Sequence, residues 1–379
     1  MSVNNYLWII LCYLLLISSQ KLLKKQKNLI NLSFTINNNY TEKLLIPLIS
    51  TLENSANNTI YHIFILVGED FEKKNELLLY NLETIYYNCF IHIINLHKEF
   101  KNVYKSFLDI TVYYRLKLPE ICENITRIIY IDCDSIILKD LNELFTLNFG
   151  GNYILGKLDI FPDELDRFKI YIKNNINSGV LLMDLYNLRK YKYVEKFMNY
   201  TKNNNNKFYL NAHDQTLINY ICHDKIGILK PKYHMWPFKD YLAFINDHKR
   251  TRIQYDPIDV QEGFNDPFIV HFPGKFKYKD SFRNISFYKN YYDYMKVAEK
   301  TREKFNEKYN NITNITQNKL TEYNISLNSI KENNITQNIL TEYNISLNNI
   351  IENNIAQNIL TEYNISLNNI TENNITISN

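Results

Sequence analysis

Four short apolar runs constrain this chain most: Leu29–Ile36 (LINLSFTI), His62–Gly68 (HIFILVG), Cys89–Leu96 (CFIHIINL) and Arg127–Leu138 (RIIYIDCDSIIL). Each is of strand length and rich in β-branched and aromatic residues. After the first, Thr41–Asn54 carries Leu44, Leu45, Leu48 and Leu52 at helical spacing. Strands separated by helices predict an α/β domain with a mostly parallel central sheet flanked by helices. In such sheets ligands bind beyond the C-terminal ends of the strands. That makes Asn37–Tyr40 and Asp132–Asp134 candidate site loops before any motif is considered.

This pattern occupies residues 28–300, and the segments on either side have another character. Tyr6–Ile17 is an unbroken apolar run of 12 residues, followed by Ser18-Ser19-Gln20. It is shorter than the roughly 20 residues that span a bilayer and fits the core of a secretory signal. Residues 1–20 therefore read as an apolar leader, either signal peptide or membrane anchor. The favoured destination is the secretory pathway, with a cytoplasmic protein as the alternative. Lys21, Lys24, Lys25 and Lys27 follow the run and none precedes it, a bias that opposes translocation.

At the other end, TEYNISLNSIKENNITQNIL (321–340) and TEYNISLNNIIENNIAQNIL (341–360) repeat with period 20. Of the 56 Asn, 22 lie after residue 300. Ile and Leu stand singly among them, with neither a helical face nor strict alternation. Residues 306–379 are therefore expected to form a low-complexity tail without regular structure. The tail holds no His, Cys or Asp, so the chemistry lies elsewhere. From Tyr309 on there are two Lys and six Glu, so the rest of the chain carries +7 of a net +3. That mild basic excess suits a phosphorylated small molecule, and no Arg/Lys stripe points to nucleic acid. The five Cys include no CxxC pair, which argues against a zinc cluster.

The sharpest local feature is Asp132-Cys133-Asp134 inside an otherwise apolar run. Two carboxylates at a buried strand end are costly without a positive partner, and a hard divalent cation is the usual one. Such an ion commonly bridges to nucleotide phosphates. Asn177-Ser178-Gly179-Val180 is a polar, Gly-containing turn leading into an apolar strand. Asp214-Gln215 stands at a predicted helix start, where an Asp is equally well explained as a cap. His271-Phe272-Pro273-Gly274-Lys275-Phe276-Lys277 follows the apolar run Phe268–Val270 and offers an imidazole, a close-approach glycine and cations for a diphosphate.

In this order the stretches resemble glycosyltransferase family 8, the retaining sugar-nucleotide transferases that include lipopolysaccharide galactosyltransferases and glycogenins. The resemblance runs from about Asn28 to Lys279 and implies a GT-A fold. It implies that Asp132, Asp134 and His271 bind Mn²⁺, with Mg²⁺ as the alternative. Thr35, Asn37 and Tyr40 would meet the uridine. Arg115, Asp159, Asn177 and Asp214 would hold the donor sugar, Gly274 and Lys277 would cradle the diphosphate, and Gln215 would lie beneath the anomeric carbon, completing with Asp214 the catalytic pair. Two positions depart from the family pattern: Asn37 stands where Asp is usual, and Tyr278-Lys279 where Pro-Trp is usual. The implied reaction is transfer of glucose or galactose from its UDP-sugar to a glycan, lipid-linked sugar or protein, with retention. The competing class is an inactive carbohydrate-binding surface protein on a repetitive stalk.

Overall fold

In the computed structural model the described residues are 27–96, 109–159, 172, 174–202, 214–237, 255–273 and 286–328. A seven-stranded sheet forms the centre, in the order β3-β2-β1-β4-β7-β6-β8. Its strands are β1 (Asn28–Thr35), β2 (Thr59–Val67), β3 (Cys89–Asn95), β4 (Arg127–Ile131), β6 (Ile154–Leu158), β7 (Ile176–Asp184) and β8 (Ile226–Ile228). β7 alone runs antiparallel to its neighbours β4 and β6. The expected mostly parallel sheet is therefore present. A separate antiparallel ribbon pairs β5 (Ser135–Ile137) with β9 (Ile269–His271).

Period-2 alternation sends side chains to two apolar layers. Ile30, Leu32 and Phe34 of β1 join Tyr61, Ile63 and Ile65 of β2 beneath helix α1 (Thr41–Glu53). On the opposite face Leu66, Tyr130, Leu181 and Met183 pack with Leu217 and Ile218. Fully burying one such side chain stabilises by roughly 1.5–3 kcal/mol, so both layers hold the sheet rigid where the site is built.

Two sequence expectations change. The run 127–138 is not one strand: it breaks at Asp132-Cys133-Asp134, and the chain resumes as β5 in the second ribbon. The tail expected to lack regular structure from residue 306 is helical as far as Asn328, within a single helix Ser286–Asn328. Tyr291, Ala298 and Phe305 on that helix are buried in the core, which supplies the apolar face that the Asn-rich sequence conceals. Residues 1–20 and the repeats beyond 328 lie outside the described residues. Among the described residues no helix is long and apolar enough to cross a membrane.

Candidate active site

Four chain segments converge because β7 is reversed. The C-terminal ends of β1, β4 and β6 lead into Asn37, Asp132 and Asp159, and the N-terminal end of antiparallel β7 places Asn177-Ser178-Gly179 among them. The Gly179 carbonyl accepts from Asp132 N at 2.8 Å, and the Ser178 carbonyl accepts from Arg115 Nη1 at 2.9 Å.

On one side of this junction lie Asp132, Asp134 and His271, whose ligating atoms are all within 4.8 Å of one another. Residue 271 reaches the carboxylates because β9 pairs Ser135 with His271. His271 Nε2 is 3.1 Å from Asp134 Oδ1 and 3.8 Å from Asp132 Oδ2. Two carboxylates and an imidazole, largely buried, match the donor preferences of a divalent cation.

Asp132 also meets Arg115 Nη2 at 2.9 Å and receives the Tyr130 hydroxyl at 2.8 Å. The Tyr130 oxygen is in turn 2.9 Å from Thr35 Oγ1. Burial raises the Tyr130 pKa far above the phenolic range, so the ring stays neutral and keeps its proton to donate. Arg115 reaches a second acid, with Nε 3.2 Å from Asp214 Oδ2. Burial opposes its charge, yet Asp132 and Asp214 outweigh that and raise its pKa. Arg115 is thus a buried strut between the two acids.

Across the junction, Gln215 is held at both ends of its amide. Its Nε2 donates to Asp159 Oδ2 at 2.7 Å, and its Oε1 accepts from Ser178 N and Asn177 Nδ2, each at 3.1 Å. Asp214 and Gln215 open the helix Asp214–Ile221, as the sequence predicts. At the rim, Asn37 Nδ2 donates to Asp109 at 2.6 Å, and Lys43 lies 4.5 Å from the centre of the Tyr40 ring. Gly274 and Lys277 lie outside the described residues.

Sequence reasoning did not find Tyr130, His234, Trp236 or Lys157. Tyr130 left a signal: it stands two residues before Asp132 on a strand, hence on the same face. His234, Trp236 and Lys157 are fully buried, with His234 against His271, and lie outside every motif. Burial lowers the pKa of His234 far below the usual imidazole value, reinforced by His271 and Lys157, and it does the same to Lys157 despite Asp159.

The α/β sheet thus sets an Asp-x-Asp/His cluster beside a polar amide group. The family model for Glycosyl transferase family 8 matches residues 31–278, and the chain belongs to that family. It is a glycosyltransferase, and the GT-A fold expected from the resemblance is the fold found. General stress protein A of Bacillus subtilis is 29% identical over 200 residues, 51% of this chain and 67% of that protein. A putative glycosyltransferase of Haemophilus influenzae is 24% identical over 215 residues, 55% of this chain and 63% of that one. The lipopolysaccharide 1,2-glucosyltransferase of Escherichia coli is 23% identical over 277 residues, 69% and 78% of the two chains. Among solved structures, the galactosyltransferase LgtC with donor and acceptor sugar analogs superposes with TM-score 0.54 at 19% identity, over 72% of this chain and 96% of that one. The bifunctional glycosyltransferase WbbM gives TM-score 0.57 at 14% identity, over 71% and 50%.

Proposed function

We propose that this glycosyltransferase is metal-dependent and moves glucose or galactose from a UDP-sugar to a glycan, lipid-linked sugar or protein, with retention at the anomeric carbon. One observation carries the reading: three convergent metal donors, Asp132, Asp134 and His271, share a junction with the amide cluster of Asp159, Asn177 and Gln215. The first group would hold Mn²⁺, which when bound supplies positive charge to the departing diphosphate. Thr35, Asn37 and Tyr40 flank the uridine position, with Gly274 and Lys277 assigned to the diphosphate. Arg115, Asp159, Asn177 and Asp214 hold the donor sugar above Gln215.

Gln215 has little to offer as a nucleophile. An amide oxygen is weakly basic, and this one already accepts two hydrogen bonds. Asp214 is no better placed, since its carboxylate is buried against Arg115. Same-face attack satisfies both constraints. The bond from the anomeric carbon to the phosphate oxygen breaks, the acceptor oxygen bonds to that carbon, and the acceptor's proton passes to the departing phosphate. A covalent sugar adduct trapped on Gln215 or Asp214 would overturn this route.

The test is to incubate the chain with Mn²⁺ and a panel of UDP-sugars and to measure UDP release with and without sugar acceptors, then with EDTA. UDP released from a hexose donor and abolished by EDTA supports the reading. Release from no donor favours the non-catalytic carbohydrate-binding alternative.

A further inference from the structure

His271 rests on a buried row of groups that sugar transfer leaves without a task. Its Nδ1 is 2.9 Å from His234 Nε2, and Trp236 Nε1 lies 3.2 Å from that same nitrogen. His234 and Trp236 are fully buried. Lys157 Nζ lies 4.0 Å from the centre of the Trp236 ring.

An indole N–H is a donor only. The nitrogen it faces must therefore be bare, because two N–H groups cannot point at each other. His234 Nε2 is that nitrogen, so the proton in its contact with His271 belongs to His271 Nδ1. A metal-ligating imidazole is neutral and carries a single N–H. With Nδ1 protonated, Nε2 is the nitrogen left for a metal: it faces Asp132 and, at 3.1 Å, hydrogen-bonds Asp134, and it would give up that bond's proton on ligation. The ring plane is fixed as well: a Cβ on Gly179 would fall 2.2 Å from His271 Cε1 and 2.6 Å from Nδ1, so the imidazole lies directly on the β7 backbone.

We propose that Trp236 and His234 are positioning residues for the metal centre, a two-step relay that sets the tautomer of His271 so that Nε2 is available as a ligand. The proposal rests on the metal reading above but commits residues which that reading does not use. An apolar pair at 234 and 236 would fill the same volume without fixing which nitrogen carries the proton. Outer partners of metal-bound histidines typically account for about 10–100-fold in metal affinity.

Two measurements on the full chain test it. Long-range ¹H–¹⁵N spectra of histidine-labelled protein should show a proton on His271 Nδ1 and none on His234 Nε2, and the reverse pattern would overturn the relay. Mn²⁺ titration by calorimetry should give an affinity about 10–100-fold weaker for His234→Phe. His234→Gln, which keeps an acceptor near the Nε2 position, should recover to within a few-fold. Equal affinity for wild type and His234→Phe would sink the proposal. If His234→Phe does not fold, the nitrogen spectra of the wild type still decide. Absence of any Mn²⁺ binding by the wild type would instead overturn the metal reading, leaving the tautomer measurement to judge the relay.

Discussion

Arg115 and Asp132 form a 2.9 Å ion pair in which the guanidinium side chain is only 5% exposed. The same guanidinium holds Asp214 and the Ser178 carbonyl, so one buried cation ties the metal side of the site to the sugar side. Charge, geometry and planarity are all used, and no other side chain offers that combination.

Arg115→Met should therefore be costly twice over. Removing one partner of a buried pair destabilises by roughly 3–5 kcal/mol, and the partial exposure of Asp132 puts the expectation near the lower figure. Urea unfolding would measure it. Arg115→Lys keeps the charge but not the fork, and should retain most of the stability while losing at least tenfold in UDP-sugar turnover. A fully active Arg115→Lys enzyme would show that the fork is dispensable.

Gln215→Glu replaces the Nε2 donor with an acceptor against Asp159, where the wild-type contact is 2.7 Å. Two carboxylates at that separation repel, and one must take up a proton to restore the bond. Turnover at pH 8 should fall by about two orders of magnitude. Relative to wild type it should recover as the pH falls and the pair shares a proton. A variant-to-wild-type ratio that stays flat from pH 8 to pH 5.5 would show that the Asp159 bond does not matter.

How far the sequence revealed these features depends on local chemistry. Asp132 and Asp134 were legible because carboxylates in an apolar run violate a local rule, and Gln215 only through the family resemblance of the Asp214-Gln215 pair. Arg115 was legible as a residue but not as a strut, since Asp214 lies 99 positions away and no spacing connects them. The break of Arg127–Leu138 into two strands was hidden because β5 and β4 share one apolar composition and differ only in partner. His234 and Trp236 reach His271 through the pairing of β9, a tertiary relation with no trace in spacing. The helix beyond residue 306 was hidden because Tyr291, Ala298 and Phe305, which anchor it, precede the repeats.

Gly179→Ala tests the close approach of β7 to the imidazole. The added Cβ would stand 2.2 Å from His271 Cε1, far inside contact distance. Either the ring or the strand must move, and His271 is clamped by His234 and Asp134. Mn²⁺ affinity should drop at least tenfold while the far-UV spectrum stays native. Gly156, also tightly packed but against Ile176 and Leu181, offers the contrast: Gly156→Ala should cost stability with little effect on metal affinity in the folded fraction. If both variants lose metal equally, the effect is general loosening of the sheet rather than displacement of His271.

Glu83 gives a pH signature unrelated to turnover. It sits on the helix Lys73–Ile85 and accepts a hydrogen bond from Ile91 N. Burial pushes its pKa up to about 7, with the Ile91 bond opposing the shift. The unfolded value is about 4.3. Between these values the folded chain holds a proton that the unfolded chain releases, so the contribution is fully present below about pH 4.3 and is lost as the pH rises through 7. Glu83→Gln keeps the acceptor oxygen and carries no charge at any pH. It should match wild type in urea at pH 4 and exceed it above pH 7.5, by on the order of 2 kcal/mol once partial solvent access is allowed for. An equal gap at both pH values would mean that the variant acts through packing rather than through the buried charge.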